Sequence, residues 1–266
     1  MEKPFSDSQT ALYLKKLGLN KAEVCLDTLC ALQKSHMQTF AYENLDCMAQ
    51  RAMSLTPEAL FAKLIEGFRG GISVELDTAF YLLLKSLGFE VTSRLAWRFD
   101  IDGAPQPKVQ RINLVNFAGK TYICCTGINC EAPRIPLLLE IDAPQSDGIS
   151  SYRFTKGKAS ETIVEQKEGF FWTPLYAFEQ TAATQSDFDE ALRFCIEEQT
   201  SPCNKANKIS IFTPDTFIFI AADTLKYKKH GRIIKQLSIE DRHQMNKLLK
   251  SVFHISFGEI KFIAAD

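Results

Sequence analysis

The chain has 266 residues, of which 45% are hydrophobic and 24% are charged, and its 31 basic and 32 acidic residues give a net charge of -1. This length and composition predict a globular protein with one large domain or two to three small ones. No Lys/Arg block stands out, which argues against nucleic acid and against an anionic membrane as partners. The N-terminal segment lacks the apolar core of a signal peptide, and no apolar run is long enough to span a membrane, so we expect a cytoplasmic protein.

Cysteine spacing argues against a metal site. The eight cysteines form no CxxC pair, and no Cys/His spacing suits zinc. In a reducing compartment most of them are expected to be free thiols that pack as small apolar side chains. The sequence carries no signal for a permanently bound cofactor and gives no indication of the oligomeric state.

Helical patterns dominate the first third of the chain. In "TPEALFAKLIEG", Thr56 is the predicted N-cap, Pro57 the first helical residue and Gly67 the stop. The next segment has apolar residues at helical spacing and ends at Gly88. Ser73 therefore falls in the first turn of that helix.

Strand patterns begin at Phe89. Apolar and polar residues alternate from there to Phe99, and "INLVNFAGKTYICC" predicts a hairpin with Gly119 in its turn. Further strand-like runs extend to about Phe178. Beyond them, "KISIFTPDTFIFIAADTLKYKK" predicts paired strands between two helices, the second of which is capped by Ser238.

This order of elements predicts an α+β protein built in three parts. Residues 1–88 are expected to form a helical bundle, residues 89–185 a β-barrel-like domain and residues 186–266 a mixed α/β segment. No internal repeat or low-complexity segment interrupts the pattern.

The helix start at Ser73 is the strongest local candidate for chemistry. Gly70 and Gly71 precede it, so an acyl group could approach the backbone closely, and a helix N-terminus carries a partial positive charge. This field favours a thiolate, but a serine hydroxyl needs a general base as well. Without a partner that accepts its proton, Ser73 is interpreted as a cap or as a first-turn hydroxyl bonded to the backbone.

Three segments carry a resemblance to a known family: "YENLD" from Tyr42, "RGGISVELD" from Arg69 and "YICCTGIN" from Tyr122. In order and separation they resemble the arylamine N-acetyltransferase family. The resemblance implies a cytoplasmic enzyme with a papain-like fold of helical bundle, β-barrel and α/β lid. Members of that family pass an acetyl group from acetyl-CoA, through a cysteine thioester, to an arylamine or hydrazine, and they use a Cys-His-Asp triad.

All three triad positions are substituted in this chain. By the resemblance, the family's Cys falls at Ser73, its His at Gln110, or at Arg111 if the register slips by one, and its Asp at Cys125. A carboxamide has no titratable acceptor near neutral pH, and an arginine stays protonated. A thiol with a pKa of about 8.5 is mostly neutral at about pH 7. Nothing remains to activate the serine by the family's route.

The resemblance also implies a ligand site around the helix start. The residues expected to line it are Tyr42, Ile72, Thr126, Gly127 and Ile128. Ile72 stands where the family commonly has an aromatic residue, and "TGIN" replaces the family's glycine- and phenylalanine-rich loop beneath the acceptor. These departures weaken the case for the family's acceptor as a ligand.

Three other features are candidates for the missing chemistry. His254 reaches the site only if the C-terminal segment folds back. Cys124 or Cys125 could be a relocated nucleophile, but only one of two neighbours on a strand faces a cleft, and neither has an evident base. Glu75 lies two residues after Ser73 on the same helix and points away from it, which favours a buried structural ion pair.

Two classes of function follow. The first is a pseudoenzyme that binds a small molecule, an acyl-carrier ligand or a protein partner without turnover, with acetyl-CoA or another acyl thioester as a candidate ligand. The second is an acyltransferase, or an amide-forming or cyclising enzyme of natural-product biosynthesis, that uses Ser73 or a cleft cysteine on an acyl thioester. The second class requires a titratable group within hydrogen-bond reach of the nucleophile, and the first does not.

Overall fold

The first part of the chain is helical. The computed structural model describes residues 4–100, 103–221 and 223–258. Among these residues, no helix is long and apolar enough to cross a membrane. The elements of the first part are α1 (Asp7–Lys16), α2 (Leu26–Thr39), β1 (Tyr42–Glu43), α3 (Leu45–Met48), α4 (Pro57–Leu60) and α5 (Ser73–Leu87).

The second part is an antiparallel, barrel-like sheet of eight strands. Its apolar interior contains Ile112, Tyr152 and Phe178, all of them buried. The strands are β2 (Glu90–Arg98), β3 (Gln110–Phe117), β4 (Lys120–Cys124), β5 (Leu137–Leu138), β6 (Gln145–Ser146), β7 (Ser151–Lys156), β8 (Thr162–Glu168) and β9 (Phe171–Phe178). They are hydrogen-bonded in the order β5-β4-β3-β2-β9-β8-β7-β6. The predicted turn around Gly119 is confirmed, because that residue has φ +73° between β3 and β4.

Helix α5 lies between the helices and this sheet. Of its residues only Tyr81, Lys85 and Leu87 are not buried, and it packs on α1, α4, β2 and β3. A helix that is buried nearly all round sits in the interior, which explains its high apolar content. Gly88 ends it with φ +91°, a conformation that glycine adopts without strain, as the sequence predicts.

The third part combines two helices with a second sheet. Its elements are α6 (Gln185–Glu197), β10 (Lys208–Phe212), β11 (Phe217–Ala221), β12 (Thr224–Lys229), β13 (Arg232–Ser238) and α7 (Arg242–Ser251). The strand order is β1-β10-β11-β12-β13, so β1 of the first part completes this sheet. The predicted domain limits at residues 88 and 185 stay predictions, and residues 259–266 of the predicted third part lie outside the described residues.

The predicted signals around α4 are confirmed. Thr56 caps the helix by accepting the Ala59 N–H at 3.3 Å, and Pro57 is the first helical residue. The helix widens into a π-helix over Phe61–Glu66 before it ends at Gly67. The sequence pattern does not distinguish this π-helix from an α-helix, because both place apolar residues on one face.

The predicted cap of the last helix is wrong. Ser238 is the last residue of β13, where it pairs with Thr224. Asp241 caps α7 instead, because its carboxylate accepts the Gln244 N–H at 2.7 Å. Both polar residues precede the same apolar pattern, and the pairing of the strands decides between them.

Candidate functional site

Ser73 is the first residue of α5, and it does not cap the helix. Ile72 occupies the N-cap position with extended backbone, and its N–H donates to the Glu75 carboxylate at 3.1 Å. The Ser73 side chain is buried, and its hydroxyl has no hydrogen-bond partner among the described residues. The expectation that Ser73 caps the helix or bonds to the backbone is therefore wrong, because a neighbouring carboxylate already satisfies the helix start.

The glycine turn before Ser73 presses against strand β1. A Cβ at Gly70 would lie 2.0 Å from the carbonyl oxygen of Ala41, so no larger residue fits there. The Gly71 N–H donates to the same carbonyl at 3.2 Å, and the Glu43 N–H donates to the Gly71 carbonyl at 2.9 Å. This turn is held by backbone contacts on both of its sides.

A network of buried charges lies beneath the turn. The Lys63 ammonium donates to the Glu75 carboxylate at 2.8 and 2.9 Å and lies 2.8 Å from Asp46. The Arg69 guanidinium donates to Glu43 at 2.9 Å and lies 3.0 Å from Asp46. Burial by itself lowers the pKa of Lys63, but the surrounding carboxylates outweigh it and raise that pKa above its usual value. The predicted structural ion pair of Glu75 is thereby confirmed.

Asp77 holds the loop that follows β4. Its Oδ1 accepts the backbone N–H and the hydroxyl of Thr126 at 2.6 and 2.9 Å, and its Oδ2 accepts the Gly127 N–H at 3.1 Å. Burial raises the pKa of Asp77 to about 7, although these hydrogen bonds and the charge of Arg111 favour the ionised form. The sequence patterns do not single out Asp77 as a site residue. The available signal was a carboxyl group four residues after Ser73, and positions i and i+4 share a helix face.

Gly127 brings the same loop against the start of α5. A Cβ at this position would lie 2.6 Å from the Ser73 carbonyl oxygen, 2.8 Å from the Ser73 Cα and 2.9 Å from the Asp77 carboxylate. Glycine is therefore required for the close approach. The structure brings Ser73 together with the loop residues Thr126 and Gly127.

Gln110 and Cys125 lie on the barrel side of their strands. Gln110 begins β3, where it alternates with Ile112, and Cys125 directly follows β4 and belongs to the same interior cluster as Ile112. The Oε1 of Gln110 is buried without a hydrogen-bond partner among the described residues. Burial raises the pKa of Cys125, and the nearby Asp77 raises it further, so the thiol is neutral.

Arg111 points the other way, toward α5. Its Nε donates to the Ser93 hydroxyl at 3.0 Å and its Nη1 donates to the Thr78 hydroxyl at 3.2 Å. The guanidinium lies over the rings of Tyr81 and Phe188, and burial lowers its pKa to about 10. Between the two registers left open by the sequence, Gln110 and not Arg111 shares a strand face with Cys125.

The remaining residues of the predicted ligand site have mixed environments. The Tyr42 hydroxyl lies 3.9 Å from the Cys203 sulfur, while Ile72 and Ile128 are buried in apolar clusters. The Thr126 hydroxyl donates a hydrogen bond to the Asp77 carboxylate. The grouping of Tyr42, Ile72, Thr126, Gly127 and Ile128 as one ligand site stays a prediction. No cluster of His, Cys, Asp and Glu suited to a metal ion occurs in the described part of the chain.

The other candidate bases and nucleophiles are placed unfavourably. His36 is fully buried against the Tyr13 hydroxyl at 2.9 Å, and burial lowers its pKa to about 3. His230, His243 and His254 are exposed or partly exposed residues of the third part. Burial raises the pKa of Cys124, as does the neighbouring Asp77. A neutral buried thiol is a poor nucleophile.

Comparison with known proteins gives a consistent result. The N-acetyltransferase family model matches residues 25–262. The arylamine N-acetyltransferase of Mycolicibacterium smegmatis is 26% identical over 93% of this chain and 92% of its own length. The structure of arylamine N-acetyltransferase from Salmonella typhimurium has a TM-score of 0.90 at 23% identity, covering 97% of this chain and 94% of its own. The Mycobacterium marinum enzyme, solved in complex with CoA, has a TM-score of 0.86 at 23% identity and covers 92% of each chain. The predicted α+β fold is confirmed.

Removing Lys63 tests the buried network. In Lys63→Met, the Glu75 and Asp46 carboxylates lose their shared cation in a buried site, and we expect a loss of about 3 to 5 kcal/mol in the free energy of unfolding. Urea titration followed by circular dichroism measures it. Lys34→Met, at an exposed position of α2, is the matched control and is expected to change stability little. Equal effects of the two substitutions would contradict the role given to the network.

The pH dependence of stability tests Asp77. Its folded-state pKa of about 7 exceeds the unfolded value of 3.8, so the folded state keeps a proton that the unfolded state releases between these values. The contribution of Asp77 is fully present below about pH 4 and is lost as the pH rises to about 7, which amounts to about 4 kcal/mol. Urea titrations of the wild type and of Asp77→Asn across this range measure it.

We expect the stability of the wild type relative to Asp77→Asn to fall across that pH range. The variant Asp189→Asn, at an exposed position of α6, is the control and should show no such trend. A wild type that gains stability relative to Asp77→Asn with rising pH would show that the hydrogen bonds of the carboxylate, and not its burial, dominate the pKa.

Proposed function

This chain belongs to the arylamine N-acetyltransferase family, and we propose that it binds an acyl thioester or another small ligand without the family's acetyl transfer. The observation that carries this proposal is the side-chain chemistry at the three triad positions, where a hydroxyl, a carboxamide and a neutral thiol occur at Ser73, Gln110 and Cys125. None of these groups accepts a proton near neutral pH. According to this proposal, the chain is a pseudoenzyme or a binding protein.

The environment of each group supports the loss of turnover. A serine hydroxyl becomes a nucleophile only when a general base takes its proton. Gln110 has no titratable nitrogen, and burial raises the pKa of Cys125 so that no fixed negative charge stands at the family's Asp position. The dipole of α5 does not compensate, since its effect of up to about 2 kcal/mol is far smaller than the cost of ionising an alcohol.

Features of the site support binding. The Gln110 Oε1 is a buried acceptor without a hydrogen-bond partner in the described part of the chain, and a ligand N–H or O–H would satisfy it. Acetyl-CoA or another acyl thioester, free or on an acyl carrier, fits this chemistry because its amide N–H groups can donate to that oxygen. We do not propose a permanently bound cofactor, a nucleic acid partner or a membrane partner.

A cytoplasmic location is part of the same proposal. All eight cysteines are free thiols in the structure. Free thiols are the usual state of cysteine in a reducing compartment.

Asp77 favours a second candidate function. It lies one turn after Ser73, its pKa is raised to about 7, and it contacts the loop that packs on Ser73. As a general base it could take the Ser73 proton while the hydroxyl oxygen attacks a thioester carbonyl and the thiol leaves. Such an enzyme would be an acyltransferase or an amide-forming or cyclising enzyme of natural-product biosynthesis. Against it, the carboxylate is already engaged by Thr126 and Gly127.

Rebuilding the triad tests the placement and the proposed loss together. The triple variant Ser73→Cys, Gln110→His and Cys125→Asp restores nucleophile, base and orienting carboxylate, and we expect it to accept an acetyl group from acetyl-CoA at residue 73. Triad members act as a unit, so Ser73→Cys alone and Gln110→His alone should remain inactive. Intact-mass spectrometry detects the acetyl group, and the rate of thiol alkylation against pH reports the thiolate.

Two controls keep this experiment decisive. Because Asp77 lies close enough to Cys125 to raise its pKa, a companion variant adds Asp77→Asn and avoids two adjacent buried carboxylates. If both versions fold but their introduced thiols titrate like free cysteine, with a pKa of about 8.5, the three positions do not meet. If Ser73→Cys alone shows a strongly lowered pKa, a base is present and the enzyme hypothesis takes precedence.

A further inference from the structure

The β12–β13 hairpin is strongly basic in a chain of balanced charge. Residues 224–238, "TLKYKKHGRIIKQLS", contain five lysines and arginines and no aspartate or glutamate. Other residues separate these basic residues along the sequence. Because β12 and β13 pair with each other, the basic residues lie on one hairpin. Two of the lysines pair with acids of neighbouring segments. The basic residues without a carboxylate partner within the described chain are Lys226, Arg232 and Lys235.

Strand β13 is a free edge. Within residues 4–100, 103–221 and 223–258 it is the last strand of its sheet and pairs only with β12, and all of its residues are exposed. Its backbone therefore offers a row of unpaired N–H and C=O groups. Ile234 is 60%, Ile233 46% and Leu237 42% exposed. A bulge leaves Ile234 without a pairing partner on β12. Leu237 pairs with Leu225 and Ile233 pairs with Lys228, so Ile233 and Leu237 point to opposite faces of the sheet.

A second exposed hairpin adjoins this edge. The turn between β8 and β9 carries Phe170, and Phe171 begins β9; their side chains are 97% and 77% exposed. A groove of about 540 Å³ joins the two hairpins, and it is lined by residues 166–169 from one and residues 230–232 from the other. On one side the groove ends at Gly169, next to Phe170 in the chain, and on the other it ends at Arg232, the first residue of β13.

We propose that this surface, consisting of Phe170, Phe171 and residues 232–238, binds an acidic segment of a partner protein that adds a strand to β13. The outward-facing N–H and C=O groups of β13 form hydrogen bonds to an extended peptide. The exposed apolar side chains on both faces of the sheet contact alternate residues of that peptide. Arg232 and Lys235 select acidic side chains at the neighbouring cross-strand positions. The proposal is independent of the chemistry at Ser73.

Two other occupants fit less well. A second copy of the chain would place one basic, acid-free strand beside another, and like charges across paired strands are unfavourable. An anionic bilayer offers no extended peptide backbone to pair with the N–H and C=O groups along the edge of β13. A bilayer surface also reaches only one face of the sheet, while Ile233 and Leu237 point to opposite faces.

Peptide binding to the full chain tests the proposal. The probe is a fluorescent peptide of the length of β13 in which glutamate alternates with valine, and fluorescence anisotropy measures its affinity. We expect it to bind about tenfold or more tightly than the same peptide with lysine in place of glutamate, with an affinity that falls as salt is added. The acidic peptide with alternate backbone amides methylated should lose binding, because it cannot pair with the edge.

Charge reversal provides the matched variants. Arg232→Glu with Lys235→Glu should reverse the preference toward the lysine peptide, while Lys120→Glu, at the exposed first position of β4 in the other sheet, should leave it unchanged. Circular dichroism verifies that each variant is folded. Equal binding of both peptides, unchanged binding after amide methylation, or self-association that blocks the peptide would overturn the proposal. Binding to phosphatidylserine vesicles without binding of the acidic peptide would do so as well.

Discussion

Five charged side chains beneath the start of α5 fix the geometry on which the rest of the site depends. Lys63 and Arg69 join carboxylates contributed by β1, α3 and α5, so the chain before Ser73 is tied to three other elements. Because these groups are largely withdrawn from water, removing one leaves an uncompensated buried charge, and the network is stable only as a whole. Most of its members belong to "YENLD" and "RGGISVELD", so these motifs specify the scaffold whatever residue stands at position 73.

Scaffold and chemistry are separable in this protein. The loop after β4 is held against the start of α5 by the hydrogen bond from the Gly127 N–H to Asp77 and by the close approach of Gly127 to Ser73. Neither of these two contacts requires a nucleophile. The positions to which the sequence resemblance assigns the triad, Ser73, Gln110 and Cys125, carry groups that are uncharged at neutral pH, and buried neutral groups avoid the desolvation penalty of ionised ones. Asp77, whose pKa is raised to about 7, is held by loop hydrogen bonds. The proposal of binding without turnover rests on these neutral groups and on the Gln110 Oε1, which has no hydrogen-bond partner among the described residues.

Local signals in the sequence were sufficient for much of the fold, and long-range contacts account for what they missed. The cap at Thr56 and the turn at Gly119 depend on a few neighbouring residues, so their chemistry is visible in the sequence. The role of Asp77 depends on a loop about fifty residues away in sequence, which periodicity cannot locate. The choice between Gln110 and Arg111 required the strand register, because a shift of one residue exchanges the two faces of a strand. The cap of α7 was misplaced for the same reason, since strand pairing extends to Ser238.

Exposure of the unmodified protein to acetyl-CoA tests most directly whether the family's chemistry has been lost. Intact-mass spectrometry after incubation, followed by peptide mapping, reports any acetyl group on residue 73, and Ser73→Ala serves as the control for acetylation elsewhere. With no base to take the hydroxyl proton, the mass should remain unchanged and no acetyl group should map to Ser73. A prompt gain of one acetyl group per chain that maps to Ser73 and disappears in Ser73→Ala would contradict the pseudoenzyme assignment.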